Sequence, residues 1–83
     1  MFEFRYCPNR TSRVLDIEIN VRQSSPGLWD ADCMVYENSP QGRLFRGPGC
    51  AIRAVEAPSE DAFLDEVENR ITADIEKGQG IVL

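Results

Sequence analysis

Residues 58–78 read PSEDAFLDEVENRITADIEKG, and this stretch decides the fold class. Ser59 suits an N-cap, because its hydroxyl can accept a hydrogen bond from a free backbone N–H group of the first turn. Two acidic residues follow it, where the positive end of the helix dipole favours carboxylates. Gly78 is the residue type that most often ends a helix. The stretch therefore predicts an α-helix over residues 60–77.

The side chains of this helix divide into two faces. The apolar residues recur every three or four positions and form one stripe: Phe63, Leu64, Val67, Ile71 and Ile75. Acidic residues occupy many of the other positions: Glu60, Asp61, Asp65, Glu66, Glu68, Asp74 and Glu76. A helix of this kind packs its apolar stripe on a sheet and leaves the acidic side in water.

Two stretches upstream alternate between apolar and polar residues, which is the pattern of a strand with one buried face. They are residues 15–22 and 28–37, and the Ser-Pro-Gly sequence between them suits a tight turn. Trp29 lies on the apolar face of the second strand, where it is predicted to be the largest core side chain. The alternative is that it lies half exposed, because it is at the start of the strand. Asp30 and Asp32 lie on the other face, which is therefore predicted to face solvent.

Three further segments have strand patterns. Phe2–Tyr6 places three aromatic residues on one face and is predicted to be an edge strand. Residues 43–46 form a short strand, and Gly47-Pro48-Gly49 after it is either a chain reversal or a kink in one long strand. Residues 50–56 are apolar on both faces apart from Arg53, which is typical of a central strand.

These elements predict an α+β fold. It is a two-layer sandwich, in which an antiparallel meander of four strands (with a range of three to five) is covered on one face by the single C-terminal helix. We expect residues 1–83 to form a single domain, because a chain of 83 residues has no room for a second core. The opposite face of the sheet stays open. A domain this small has a marginal core, so self-association through that face is predicted.

The net charge of −5 is unevenly distributed along the chain. Residues 1–53 carry seven arginines and six acidic residues, whereas residues 54–83 carry eight acidic residues against Arg70 and Lys77. The acidity therefore belongs to the helical segment. A chain this acidic is not a general nucleic-acid binder, because non-specific affinity depends on the neutralisation of phosphates.

The composition also predicts the compartment. No apolar run approaches the ~20 residues of a membrane-spanning helix. Glu3 and Arg5 interrupt the apolar N-terminus, which is not the pattern of a signal peptide. The chain has three cysteines, and an odd count suits reduced thiols. We expect a cytoplasmic protein of bacterial or phage type.

The cysteines lack the spacing of a metal or catalytic site. Cys7, Cys33 and Cys50 form no C-x-x-C motif, and the chain contains no histidine, the commonest general base and metal ligand. Without an imidazole to activate a thiol, a nucleophilic role is disfavoured. We therefore expect free structural thiols, no metal, no cofactor and no enzymatic activity.

Two pairs of carboxylates lie two positions apart on predicted strands. They are Asp30 with Asp32 and Asp16 with Glu18. Such pairs can serve as acid and base or hold a divalent cation. Exposed acids on a strand are more often charges that keep a sheet from aggregating, and we expect all four to be solvated.

Two surfaces are candidates for partner binding, and the first is the acidic side of the helix. Asp65, Glu68 and Glu76 represent it. It is a docking strip for a basic protein, or a mimic of a phosphate ladder that occupies a nucleic-acid-binding surface.

The second candidate surface is a cluster of arginines. Arg43, Arg46 and Arg53 flank the Gly-Pro-Gly segment, beside Tyr36 and Phe45. Two more arginines lie in the loop after the first strand: Arg10 and Arg13. Basic and aromatic residues on an open sheet bind single-stranded RNA by stacking and phosphate contact. The alternative is that these arginines pair across strands with the acids Asp16, Glu18, Asp30 and Asp32.

The leading hypothesis is a non-enzymatic macromolecular interaction module. It binds an unidentified protein partner, as an inhibitor or accessory factor, or self-associates as a homodimer. The alternative is a small RNA-binding module that uses the arginines and aromatic residues, with nucleic acid the less favoured partner. We expect Ile81-Val82-Leu83 at the C-terminal end of the sequence to pack on the domain.

Overall fold

A four-stranded sheet and one helix make up the domain. The computed structural model describes residues 1–9 and 11–78, so Arg10 and the prediction for Ile81-Val82-Leu83 lie outside the described residues. The elements are β1 Phe2–Tyr6, β2 Val14–Ser25, β3 Leu28–Ser39, β4 Gly42–Glu56 and α1 Glu60–Lys77. The strands lie in the order β1-β2-β3-β4, each antiparallel to the one before. The predicted α+β meander with a C-terminal helix is confirmed, with β1 at an edge.

The helix α1 has the bounds that its sequence predicts. The Ser59 hydroxyl accepts a hydrogen bond from the Ala62 N–H at 3.2 Å. Gly78 adopts the left-handed conformation (φ 71°), and its N–H turns back to the carbonyls of Asp74 and Ile75. Within the described residues, no helix is long and apolar enough to cross a membrane.

The core lies between α1 and one face of the sheet. The helix buries Phe63, Val67, Ile71 and Ile75. The strands contribute Leu15, Ile17, Ile19, Ala31, Cys33, Val35 and Ile52. Trp29 lies half-buried at the margin of this core, where its ring stacks on Phe63 with a centroid distance of 6.2 Å. Its indole N–H donates a hydrogen bond to the Ala57 carbonyl at 3.2 Å. Because Trp29 is only half-buried, Phe63 is the largest fully buried side chain.

The strand β4 decides between the two alternatives for Gly47-Pro48-Gly49 and corrects the predicted position of residues 50–56 in the sheet. Residues 43–46 and 50–56 belong to one strand, so Gly47-Pro48-Gly49 is a kink and not a reversal. Within the described residues this strand pairs with β3 alone and lies at the edge of the sheet, so the predicted central position is wrong.

A bulge explains why β4 resembles a central strand. Ile52 faces Ala31 and Val55 faces Trp29, so four residues of β4 lie opposite three of β3. The extra residue is taken up near Ala54, which has a positive φ of 53°. Side chains of a regular strand alternate between its two faces, so residues three apart, such as Ile52 and Val55, point to opposite faces. The extra residue of the bulge shifts this alternation by one, and both side chains therefore lie on the core side.

The helix approaches β4 most closely at Gly49. A methyl group on Gly49 would overlap the Ile71 side chain and press against the Cβ atom of Cys33. Glycine therefore allows the strand backbone and the helix to pack directly on each other at this point.

Candidate functional site

Ion pairs between strands cover the sheet face opposite α1, which we call the open face. The N–O distances are 3.3 Å for Arg5–Asp16, 3.0 Å for Arg22–Asp30, 3.3 Å for Arg43–Glu18 and 2.7 Å for Arg53–Asp32. Arg43 also lies 3.6 Å from Asp16. The alternative in which arginines pair with these four acids is therefore confirmed for Arg43 and Arg53.

Two of the acids are buried, which contradicts the prediction that all four are solvated. Asp16 is 8% exposed and Asp30 is 6% exposed. The Asn38 side-chain amide donates to Asp16 at 2.7 Å, and this hydrogen bond lowers the pKa of Asp16. The backbone N–H of Ala54 donates to Asp30 at 2.8 Å, and this bond lowers the pKa of Asp30. These carboxylates hold neighbouring strands together through their hydrogen bonds and ion pairs.

An exposed group of large side chains lies where β3 and β4 meet their connecting turn. We call it the tip patch, and it consists of Tyr36, Arg43 and Phe45 on the open face and Leu44 on the opposite face of the same strand end. Tyr36 and Phe45 face each other across the two strands, with ring centroids 5.4 Å apart. The Arg43 guanidinium lies over the Tyr36 ring at 4.3 Å. Leu44 is 47% exposed and Phe45 is 56% exposed.

The structure separates the three arginines that the sequence places together. Arg43 lies over the open face, as described above. Arg46 bonds to Glu37 at 2.7 Å, and Arg13 lies 3.7 Å from the same carboxylate. Glu37 is on the other face of the sheet, because its cross-strand neighbour Leu15 belongs to the core. Arg13 thus lies at the tip end of the sheet, where it approaches Glu37.

Arg53 lies far from the tip patch. It is ten positions beyond Arg43 on β4, which corresponds to roughly 30 Å of extended strand. Its guanidinium donates to the Ala31 carbonyl at 3.2 Å as well as to Asp32. This arginine therefore serves the local structure of the sheet, and no three-arginine cluster forms.

The acidic residues of the predicted docking strip have different surroundings. Asp65 is exposed and Glu68 is half-buried. Glu76 accepts hydrogen bonds from the Tyr6 hydroxyl and from the Asn9 N–H, the latter at 3.0 Å. The bond to Glu76 raises the pKa of Tyr6 to about 12. Glu76 thus fastens β1 to the helix end, while Asp65 and Glu68 face outward from the middle of the helix.

The sequence reading missed a contact between two thiols. Cys33 is 1% exposed and its Sγ lies 3.4 Å from that of Cys50, whereas Cys7 is exposed and away from them. The sequence indicates only that Cys33 lies in the predicted strand 28–37 and Cys50 in the predicted strand 50–56. Only the bulged pairing of β3 with β4 puts them opposite each other. Among the described residues, no group of three or more cysteine or acidic side chains could hold a metal ion.

No family model matches the chain, and neither a curated protein nor a solved structure does.

Proposed function

We propose that this protein is a non-enzymatic protein-binding module and that its partner docks on the tip patch. The observation that carries the proposal is the exposure of Leu44 and Phe45, two consecutive residues of β4 whose side chains project from opposite faces of the sheet at its edge. Covering such side chains is favourable by roughly 25 cal/mol per Å² of apolar surface. Tyrosine, phenylalanine and arginine are also the residue types enriched in protein interfaces.

The edge position of β4 supports an extended partner segment. Among residues 1–9 and 11–78, β4 pairs with β3 alone, so we propose that backbone groups on its other side take a further strand. Pro48 has no N–H to donate, which limits continuous pairing to one side of the kink. Residues 42–46 contain both Leu44 and Phe45, so the partner segment is proposed to pair there. The same proposal assigns the protein to the cytoplasm, because the three cysteines carry no disulfide bond in the structure and stable structural disulfides are rare in that compartment.

The charge pattern supports a protein partner over RNA. The Arg43 guanidinium is already shared between Asp16 and Glu18, and Arg46 is bound to Glu37. Phosphates would have to displace these carboxylates, which costs much of the electrostatic gain on which RNA affinity depends. The chain as a whole is also negative, with a net charge of −5.

The experiment compares two surface variants by affinity capture with quantitative mass spectrometry. Leu44→Ser with Phe45→Ser removes the apolar part of the tip patch, and Asp65→Lys with Glu68→Lys reverses the middle of the acidic helix face. We expect a protein that binds the wild type to be lost with the first variant and retained with the second. Loss with the helix variant alone would transfer the site to α1. An unchanged partner set with both would contradict a role for either surface.

RNA binding is a second candidate, because Arg43, Tyr36 and Phe45 form a stacked group on the open face. A base could stack on Phe45 while Arg43 turns to a phosphate. The test is fluorescence anisotropy with a single-stranded oligouridine at low salt. Phe45→Ala and Arg43→Ala should weaken binding, and Arg53→Ala, at the far end of β4, should not. Absence of any binding at low salt would eliminate this candidate.

A further inference from the structure

Two thiols of this protein lie within contact distance across two neighbouring strands. Cys33 on β3 and Cys50 on β4 have their Sγ atoms 3.4 Å apart. A disulfide bond needs a separation of about 2.05 Å, so the two sulfur atoms have to approach by only about 1.4 Å. Side-chain rotation and small strand shifts can supply this movement without a change of fold.

A bulge and a glycine create this contact. Asp32 faces Ala51 and Met34 faces Pro48, so the single position of Cys33 opposes two residues of β4. Those residues are Gly49 and Cys50. Because Gly49 has no side chain, the β4 backbone lies close to the Cβ atom of Cys33, with Ile71 above it. The pairing of β3 with β4 therefore holds the two thiols together, which raises their effective concentration toward each other.

The two thiols differ in access and in acidity. Cys33 is buried in the core, whereas Cys50 is half-buried at the rim of the helix. A hydrogen bond from the Cys33 thiol lowers the pKa of Cys50, and the nearby Arg70 acts in the same direction, against burial and Asp74. The same hydrogen bond, together with burial, raises the pKa of Cys33. Cys50 is therefore the thiol that reacts first with a molecule from solution.

We propose that Cys33 and Cys50 form a redox site that low-molecular-weight disulfides of the glutathione type convert reversibly into an intrachain disulfide. The Cys50 thiolate attacks one sulfur of the small disulfide, whose S–S bond breaks and releases one thiol. Cys33 then loses its proton and attacks the Cys50 sulfur of the mixed disulfide, which releases the second thiol. The protein loses two protons and two electrons, and the oxidant becomes two thiol molecules. This site is independent of the tip patch and of any partner bound there.

The pair suits a disulfide better than a metal. Structural zinc sites use four ligands, and the described residues provide no third cysteine or acidic group beside these two. Oxidation, by contrast, needs only two sulfur atoms. The bond would close a loop of 18 residues, 33–50, which restricts the unfolded chain.

The test follows the thiols in a Cys7→Ser background, because Cys7 is exposed and would react on its own. The protein is equilibrated in mixtures of reduced and oxidised glutathione, quenched with acid, freed of glutathione, and then unfolded in denaturant at neutral pH and labelled with a maleimide mass tag. We expect two labels at reducing ratios and none at oxidising ratios, with an intact mass lower by two hydrogens and no adduct. The Tm of the oxidised form should be higher by roughly 10–20 °C. Two labels at every ratio, or glutathione adducts as the final product, would overturn the proposal.

Single replacements establish the order of attack. With Cys33→Ser, Cys50 should stop at the mixed disulfide with glutathione, because the resolving thiol is gone. With Cys50→Ser, the buried Cys33 should stay unmodified. Equal reaction of both single variants would overturn the assignment of Cys50 as the attacking thiol. If a replacement at Cys33 prevents folding, the titration of the intact pair decides the proposal, since it changes neither residue.

Discussion

The hydroxyl of Tyr6 donates a hydrogen bond to the carboxylate of Glu76, and this contact joins the first strand to the last turn of the helix. Glu76 also accepts the Asn9 N–H at 3.0 Å. One carboxylate on α1 therefore holds the end of β1 and the loop that follows it. Within the described part of the chain, β1 pairs with β2 alone, and this contact adds to the packing of Phe2, Phe4 and Tyr6 against the core.

Tyr6→Phe tests the link between β1 and α1. Because it removes a hydrogen bond to a charged group, we expect the free energy of unfolding to fall by about 1 kcal/mol at neutral pH. Urea denaturation of the two proteins measures the difference. Tyr36→Phe is the matched control, since it deletes a tyrosine hydroxyl on the other face of the sheet. An equal loss in the control would show that the contact with Glu76 is not special.

The same pair predicts a loss of stability in alkali. The pKa of Tyr6 is raised to about 12 in the fold, against an ordinary value of 10.0. A group whose pKa is raised by folding contributes its full stabilisation below the ordinary value and loses it as the pH rises through the folded one. The stability advantage of wild type over Tyr6→Phe should therefore shrink between about pH 10 and pH 12. A difference that stays constant over this window would contradict the assignment.

The Asp30 carboxylate stabilises the bulge of β4, because it accepts a hydrogen bond from the Ala54 N–H at 2.8 Å. Asp30→Ala should destabilise the protein more than Asp30→Asn, since the amide oxygen of asparagine can still accept that N–H. Both variants also lose the charge that pairs with Arg22. Unfolding midpoints in urea should rank wild type first, Asp30→Asn second and Asp30→Ala last. Equal midpoints for the two variants would mean that the Ala54 N–H needs no partner.

Asp16 and Asp30 also predict sensitivity to acid. Hydrogen bonds lower the pKa of both carboxyls in the fold. A group with a lowered pKa stabilises the fold above its ordinary value, about 3.9 for aspartate, and this contribution is lost as the pH falls below it. We expect wild-type stability to decline below about pH 4 and the decline to be smaller in Asp16→Asn with Asp30→Asn. Parallel declines would assign the effect to other carboxyls.

Gly49→Ala tests the close packing of α1 on β4. The added methyl group would overlap Ile71, and overpacking of a core costs about 1–3 kcal/mol. In an Ile71→Val background, the atom nearest to the new methyl group is absent, so the same substitution should cost less. A double-mutant cycle from urea denaturation measures this coupling. Additive effects would show that the helix does not rest on Gly49.

The helix and the first three strands follow from local sequence. Ser59 and Gly78 are capping residues whose effect depends on the backbone next to them, so both bounds of α1 are predictable. The alternation in β2 and β3 has one register that buries the apolar side. These features need no knowledge of distant residues.

The details of β4 and the thiol pair depend on irregular pairing instead. Bulges near Gly49 and Ala54 change which residues share a face, and their positions are set by how β4 fits against β3 and α1. Cys50 thus meets Cys33 only in the folded register. The burial of Asp30 has the same origin, because the bulge creates the unpaired N–H that this carboxylate accepts.

The tip patch should tolerate substitution without loss of the fold. Leu44 and Phe45 are about half exposed, and the ring contact between Phe45 and Tyr36 is of a kind that contributes about 1 kcal/mol. We expect Leu44→Ser with Phe45→Ser to lower the free energy of unfolding by about 1 kcal/mol, measured in urea. Phe63→Ala is the contrasting control, because loss of this buried ring should cost about 3–5 kcal/mol. A loss of that size at the tip would mean that the patch is structural.

Self-association should depend on Leu44 and Phe45 of the tip patch and not on the part of the open face that ion pairs cover. A dimer built on the open face would bury ion pairs such as Arg53–Asp32, and the removal of water from such charges offsets their attraction. A dimer built on β4 would instead cover Leu44 and Phe45. Light scattering over a range of concentrations should therefore show a dimer that Phe45→Ser abolishes and Arg53→Ala preserves. The reverse result would make the open face the interface, as the sequence predicts, and a strict monomer at high concentration would exclude both.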